Sequence, residues 1–107
     1  MTERRRLPNR RYSQTSSFEV GGLVYTATVS RFDDGRLGEL FLSNHKSNSA
    51  ADTNARDAAI ALSFAIQHGA DPEKIRLALC RDSQGRALGP LGAALDLIAQ
   101  SAPGQRR

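Results

Sequence analysis

An α+β fold, a three-stranded antiparallel meander followed by two to three helices packed on one face, is what the order of apolar periods predicts. Two observations lead to it. Residues from Phe18 to Ser43 repeat with period two and are punctuated by glycine turns, whereas apolar residues from Ala50 onward recur at three and four. A third observation fixes the size: 107 residues, 39% of them hydrophobic, suit one core and not two.

The meander reads as follows. Phe18 and Val20 precede the Gly21-Gly22 pair, and Leu23, Tyr25, Ala27 and Val29 then alternate with Val24, Thr26, Thr28 and Ser30. β-Branched residues around a two-glycine turn predict a hairpin. Asp33-Asp34-Gly35 supplies the next turn, and a third strand over about 36 to 43 sets Leu40 and Leu42 against Glu39, Phe41 and Ser43.

Helical signals follow a polar loop over 44 to 50. Ser49 with Asp52 three residues on resembles a capping box, opening a helix that runs to about His68 and is closed by Gly69. This helix is apolar on most sides from Ala58 to Ile66, with polar relief at Arg56, Ser63 and Gln67, so it is expected to be the central buried helix. Asp71-Pro72-Glu73 gives an N-cap, a first-turn proline and a dipole-compensating acid, with Ile75, Ala78 and Leu79 as the buried stripe. The last helix starts near Pro90 and repeats Leu91, Ala94, Leu95 and Ile98 before Pro103-Gly104.

Charge is unevenly distributed. Residues 1 to 12 hold Arg4, Arg5, Arg6, Arg10 and Arg11 against Glu3, and Arg106 and Arg107 end the chain, while the stretch between has eight basic and ten acidic residues. We therefore divide the chain into a disordered basic arm at 1 to 16, a folded domain at 17 to 101 and a basic tail at 102 to 107. No apolar stretch approaches the roughly 18 residues of a membrane span, and the N-terminus lacks the apolar block of a signal peptide, which predicts a cytoplasmic protein. A lone cysteine, Cys80, excludes an intramolecular disulfide and a multi-cysteine zinc site, and no metal or cofactor is expected.

The order of signals resembles the TSCPD domain: the turn Asp34-Gly35-Arg36, then Glu39-Leu40-Phe41, Lys46 and Ser49 in the loop, and Ser63, Gln67 and Gly69 on the long helix. That domain ends many adenosylcobalamin-dependent ribonucleotide reductases and also occurs as short free-standing proteins, mostly bacterial. The resemblance spans roughly residues 17 to 100. It departs where the family's Thr-Ser-Cys-Pro-Asp stretch is replaced by Leu88-Gly89-Pro90-Leu91-Gly92, which keeps only the proline. The resemblance implies kinship to the reductase's C-terminal domain; reductase chemistry itself needs a large barrel and further cysteines, so no enzyme activity is expected.

Candidate sites are few. The loop residues His45, Lys46, Ser47 and Ser49, at the N-terminus of the long helix, could receive an anion such as a nucleotide. Arg4, Arg5, Arg6, Arg10 and Arg11, with Tyr12 able to stack on a base, could hold a nucleic acid in a salt-sensitive way. Glu39, His45, Asp57 and His68 match no metal motif or nucleophile arrangement and are read as structural, and Cys80 as an inert packing residue beside Arg76 and Arg81. A three-stranded sheet leaves two edges, so a homodimer is also expected. The reading that results is a non-catalytic TSCPD-like domain that binds a protein partner, itself or an anion. Its alternatives are a nucleic-acid-associated protein acting through the arm, and an accessory domain of a ribonucleotide reductase.

Overall fold

Three strands and three helices follow one another in a computed structural model, which describes residues 3–7 and 12–100: β1 (Ser13–Val20), β2 (Leu23–Arg31), β3 (Leu37–Asn44), α1 (Ala50–Gln67), α2 (Pro72–Ala78) and α3 (Pro90–Gln100). The sheet is antiparallel throughout, in the order β1-β2-β3. The α+β meander and its following helices are therefore as the periodicity predicts.

The first hairpin turns at Gly21 and Gly22, whose φ angles of 62° and 78° are both positive. Two successive left-handed residues make the tight turn whose twist matches the strands, and glycine adopts them without a Cβ penalty. The strand leading into it is longer than the sequence suggests. β1 begins at Ser13, so residues 13 to 16, assigned above to a disordered arm, are paired with β2 from Ser13↔Ser30 to Ser16↔Ala27. Hydroxyl pairs explain the extension: Ser13 Oγ lies 2.9 Å from Ser30 Oγ, and Thr15 Oγ1 3.2 Å from Thr28 Oγ1. A polar strand of this kind shows no apolar alternation to a sequence reader.

The second hairpin carries a register shift between Ser30 and Arg31, which turns Phe32 into the body, where it is 6% exposed. Its turn is closed by Phe32 N–H donating to Arg36 O at 2.8 Å and by Asp34 Oδ1 accepting from Arg36 N at 3.0 Å.

Tyr25 and Ala27 of β2 and Leu37, Leu40 and Leu42 of β3 meet Ala55, Ala59, Leu62 and Ile66 of α1 and Ala94 and Leu95 of α3 to form the core. Burying such side chains supplies the main driving force for folding. Ala55 and Ala59 are fully buried, and their small size lets the α1 backbone come close to β3.

That closeness has a polar purpose. β3 is an edge strand, and α1 side chains take outward backbone groups at three of its residues. Asn44 N–H donates to Asp52 Oδ1 at 2.9 Å; Leu40 N–H donates to Ser63 Oγ at 2.9 Å, and the same hydroxyl donates to Leu40 O at 3.0 Å; Gln67 Nε2 donates to Gly38 O at 2.8 Å. From Gly38 to Asn44 a strand covers roughly 20 Å, and from Asp52 to Gln67 a helix covers about 22 Å, so the two elements match end to end. Ser63 and Gln67 are consequently buried, at 8% and 3% exposure, and do not give the helix polar relief toward solvent as the sequence suggests. An edge strand must have its unpaired groups met, and here a helix meets four of them from its own side chains.

α2 is peripheral. Its N-cap Asp71 accepts from Glu73 N, as its sequence predicts, but it has no fully buried residue: Ile75 and Leu79 are half-buried, and Ala78 is exposed, correcting the expected stripe. The cause is length, since the helix stops at Ala78 after seven residues and Leu79 is already extended. Cys80 follows it and is exposed, correcting its reading as a packed residue. Residues 81 to 88 then form a miniature hairpin rather than an open loop: Arg81 bridges Ala87, Asp82 N–H donates to Arg86 O at 2.9 Å, and Asp82 Oδ1 accepts from Gln84 N and Arg86 N.

α2 and this hairpin are tied to α3 by one carboxylate. Asp96 receives both guanidinium nitrogens of Arg81, at 2.7 and 2.9 Å, and Nη1 of Arg76 at 2.9 Å. Hydrogen bonding to Arg81, then to Arg76, outweighs desolvation and holds the Asp96 carboxyl down at about 2. α3 itself presents Leu91, Ala94, Leu95 and Ile98 inward, as predicted, and the turn Pro103-Gly104 lies outside the described residues.

Two predictions follow the polar bonds. Ser63→Ala strands the Leu40 N–H and C=O together, so urea denaturation should show a loss of about 1–3 kcal/mol, whereas Thr26→Ala on the open sheet face should stay within about 0.5 kcal/mol. Asp96 has its folded value depressed below the ordinary 3.8, so its stabilisation is fully present above that value and is lost as pH falls through about 2. The difference in unfolding free energy between the native protein and Asp96→Asn should thus be on the order of 2 kcal/mol and flat above about pH 5, and should shrink toward pH 2.

Candidate functional site

The β3–α1 loop brings His45, Lys46, Ser47 and Ser49 together at the start of α1, with the first three exposed. Several of its backbone donors are engaged. Lys46 N–H donates to Asn44 Oδ1 at 2.9 Å, His45 N–H to Val24 O at 3.1 Å, and Asn48 N–H to Asp52 Oδ2 at 3.3 Å. Ser49 is the N-cap: its hydroxyl accepts from Asp52 N at 3.1 Å and donates to Lys46 O at 2.7 Å. The anion that the helix N-terminus favours is therefore built in, as the buried Asp52 carboxylate. Its pKa is lowered chiefly by the Asn44 N–H, and further by Arg56, whose Nε lies 3.0 Å from Oδ2.

Of the arm, Arg4, Arg5 and Arg6 are described, whereas Arg10 and Arg11 lie outside the described residues, as does the tail at 102 to 107. Arg4 and Arg5 each lay one side against the body while remaining exposed on the other. The Arg4 guanidinium sits 4.4 Å from the centre of the Phe64 ring and donates from Nε to Gln67 Oε1 at 2.5 Å. The Arg5 guanidinium stacks 3.8 Å from the Phe32 ring centre and pairs with Asp34 at 3.2 Å, while Arg5 N–H donates to Gln67 O at 2.6 Å and so caps the last turn of α1. Leu7 completes the strap over Gly38, where a Cβ would lie 2.8 Å from Leu7 Cδ2 and 3.3 Å from Phe32 Cε2. Glycine at 38 is what lets the strap lie so close. Arg6 and Tyr12 are exposed.

Beneath Arg5's turn a cleft of about 310 Å³ opens between the second hairpin, the end of α1, the start of α2 and α3. Phe32, Leu37, Ile66, Leu95 and Ile98 give it an apolar floor, and Arg31, Arg36, Asp71 and the paired Glu73 and Arg76 line it as well. Its volume is at the lower end of small-molecule sites. Arg36, 73% exposed and 3.6 Å from Asp34, is more open than the paired Arg76 and Glu73. The sequence reading missed this cleft, since its walls come from four elements far apart in the chain; the one signal was three arginines, Arg31, Arg36 and Arg76, with no helical or strand pattern to explain them.

The residues weighed for catalysis are not gathered. His68 donates from Nδ1 to Phe64 O at 2.9 Å at the end of α1, Glu39 is half-buried on the sheet, and Asp57 is exposed on the outer side of α1. Among the described residues no group of His, Cys, Asp or Glu is placed to hold a metal ion, and no helix is long and apolar enough to cross a membrane.

No family model matches this chain, and no solved structure matches it. Curated relatives do, two of them as follows. A vitamin B12-dependent ribonucleotide reductase of Bradyrhizobium diazoefficiens is 39% identical over 69 residues, 64% of this chain, and one of Agrobacterium fabrum is 39% identical over 72 residues, 67% of it. In each case the match spans 6% of the reductase's length. This small α+β chain is thus related to one short segment of vitamin B12-dependent ribonucleotide reductases.

Proposed function

We propose that this chain is a non-catalytic TSCPD-type module that serves a vitamin B12-dependent ribonucleotide reductase as an accessory domain. The observation that carries the reading is the 39% identity to a segment amounting to 6% of the reductase, which leaves the rest of the reductase without a counterpart here. Ribonucleotide reduction consumes two electrons, supplied by a thiol pair; the single thiol of Cys80 stands exposed after α2 and has no second cysteine to close a disulfide with. What the fold offers instead is a rigid platform with a lined cleft.

A second reading, that the module also takes a nucleotide-like anion, rests on the cleft rather than on the loop at 45 to 49. The N–H groups of His45, Lys46 and Asn48 are hydrogen-bonded within the chain, whereas Arg36 stands open above an apolar floor that a base could cover. The reading of a nucleic-acid protein acting through the arm has less behind it, because Arg4 and Arg5 would first have to leave Phe64 and Phe32.

The deciding measurement is association with a full-length vitamin B12-dependent reductase and with the same reductase deleted of its matching segment. The chain should bind the deleted form, as the missing segment would, and should by itself turn over no ribonucleotide with adenosylcobalamin and a dithiol. Turnover by the isolated chain, or no association with either form, overturns the proposal. For the cleft, Arg36→Ala should weaken nucleotide binding by tenfold or so in calorimetry, while Lys46→Ala leaves it unchanged; the reverse pattern returns the site to the loop.

A further inference from the structure

The two edges of the sheet are treated in opposite ways. At β3 the Gly38 C=O, both outward groups of Leu40 and the Asn44 N–H are taken by Gln67, Ser63 and Asp52. Since Leu40 points its N–H and C=O away from β2, the register fixes the rest: Thr26, Thr28 and Ser30 of β2 face β3, Tyr25, Ala27 and Val29 face β1, and on β1 Gln14, Ser16 and Phe18 complete that ladder. The N–H and C=O groups of Ser13, Thr15, Ser17 and Glu19 therefore point outward, on a strand exposed along most of its length. Among the described residues no backbone or side-chain bond covers them.

Of the usual protections of an open edge, β1 keeps only the charge of Glu19. It is eight residues long, contains no proline and no lysine, and its register to β2 runs unbroken without a bulge. Its core-facing side is incompletely covered as well. Two grooves separate β1 from α3, one lined by Gln14, Ser16 and Leu97, the other by Phe18, Val20 and Leu97. Phe18 and Val20 remain only half-buried there.

We propose that the free edge of β1 pairs antiparallel with β1 of a second copy, about a two-fold axis normal to the sheet near Ser16 or Ser17, joining two meanders into one six-stranded sheet. Such pairing sets like faces together, so Ser17 meets Ser17 of the second copy, or Ser16 meets Ser16. The strand carries one charge, and in these two registers Glu19 faces Thr15 or Ser13, never another Glu19. Self-pairing thus meets no like-charge repulsion, and the same patch serves both copies, as a two-fold interface requires. Phe18 then faces Ser16 or Gln14 of the other copy and gains cover over the groove beside α3.

Light scattering on the full chain tests this. The expected mass is twice the 11.6 kDa of one chain at high concentration, falling on dilution. Ser17→Pro removes an outward N–H and no bond to β2, so it should give a monomer with an unchanged far-ultraviolet dichroism spectrum. Should that variant fail to fold, Ser16→Cys and Ser17→Cys in a Cys80→Ser background replace it: one of them should form an intermolecular disulfide on mild oxidation, and Thr28→Cys, on the middle strand, should not. A mass that stays at that of one chain, including the case in which β1 pairs only with another protein's strand, overturns the proposal. So does a dimer that a folded Ser17→Pro variant leaves intact.

Discussion

The packing of α1 along β3 is the constraint on which the remaining structure depends. A three-stranded sheet has two edges, and a helix laid on an edge must satisfy the backbone it covers or leave it buried and unpaired, which costs about 1–3 kcal/mol for each group. Asp52, Ser63 and Gln67 solve this at three points along one line of the helix, while Ala55 and Ala59 keep the separation small enough for their short side chains to reach. The same three residues then organise what surrounds them. Asp52 folds the β3–α1 loop by drawing in Asn48 and Arg56, and Gln67 gives Arg4 its acceptor. Loop, helix and strap are consequences of one sealed edge.

Most of the backbone was legible from pattern alone, because each element announces itself through residues that act locally. Gly21-Gly22, the Ser49 cap and Asp71-Pro72 fix turns and helix starts within a few residues of themselves, and the structure finds each where the sequence puts it. What was not legible depends on distant partners. Ser13 to Ser16 form a strand because Ser30 and Thr28 lie opposite, and nothing within that stretch says so. Ser63 and Gln67 look like a solvent stripe when the helix is viewed alone; their burial follows from an edge strand more than twenty residues earlier.

The candidate site divides along the same line. Donor groups at a helix N-terminus can be recognised from sequence, but whether they are free cannot, since the competing acceptor is Asp52 within the first turn. Clustered arginines can likewise be counted, yet Phe32 and Phe64 provide rings for two of them, so the arm's charge is partly held against the body. The cleft beside Arg36 went unread because no single stretch of chain contains it. A site made of one residue from each of several elements leaves no spacing to find.

Asymmetry between the edges also bears on kinship with a much larger reductase. A module that closes both edges of its sheet is complete in itself and can be attached or released without loss. This one closes β3 with its own helix and leaves β1 open, with half-buried Phe18 and Val20 beside it. Open backbone is compatible with stability only if water or another strand meets it, and polar Ser and Thr residues make water an adequate partner until a better one arrives. The pairing proposed for β1 therefore starts from an edge that water can satisfy. An apolar edge would commit the chain to aggregation, and a charged one would forbid pairing.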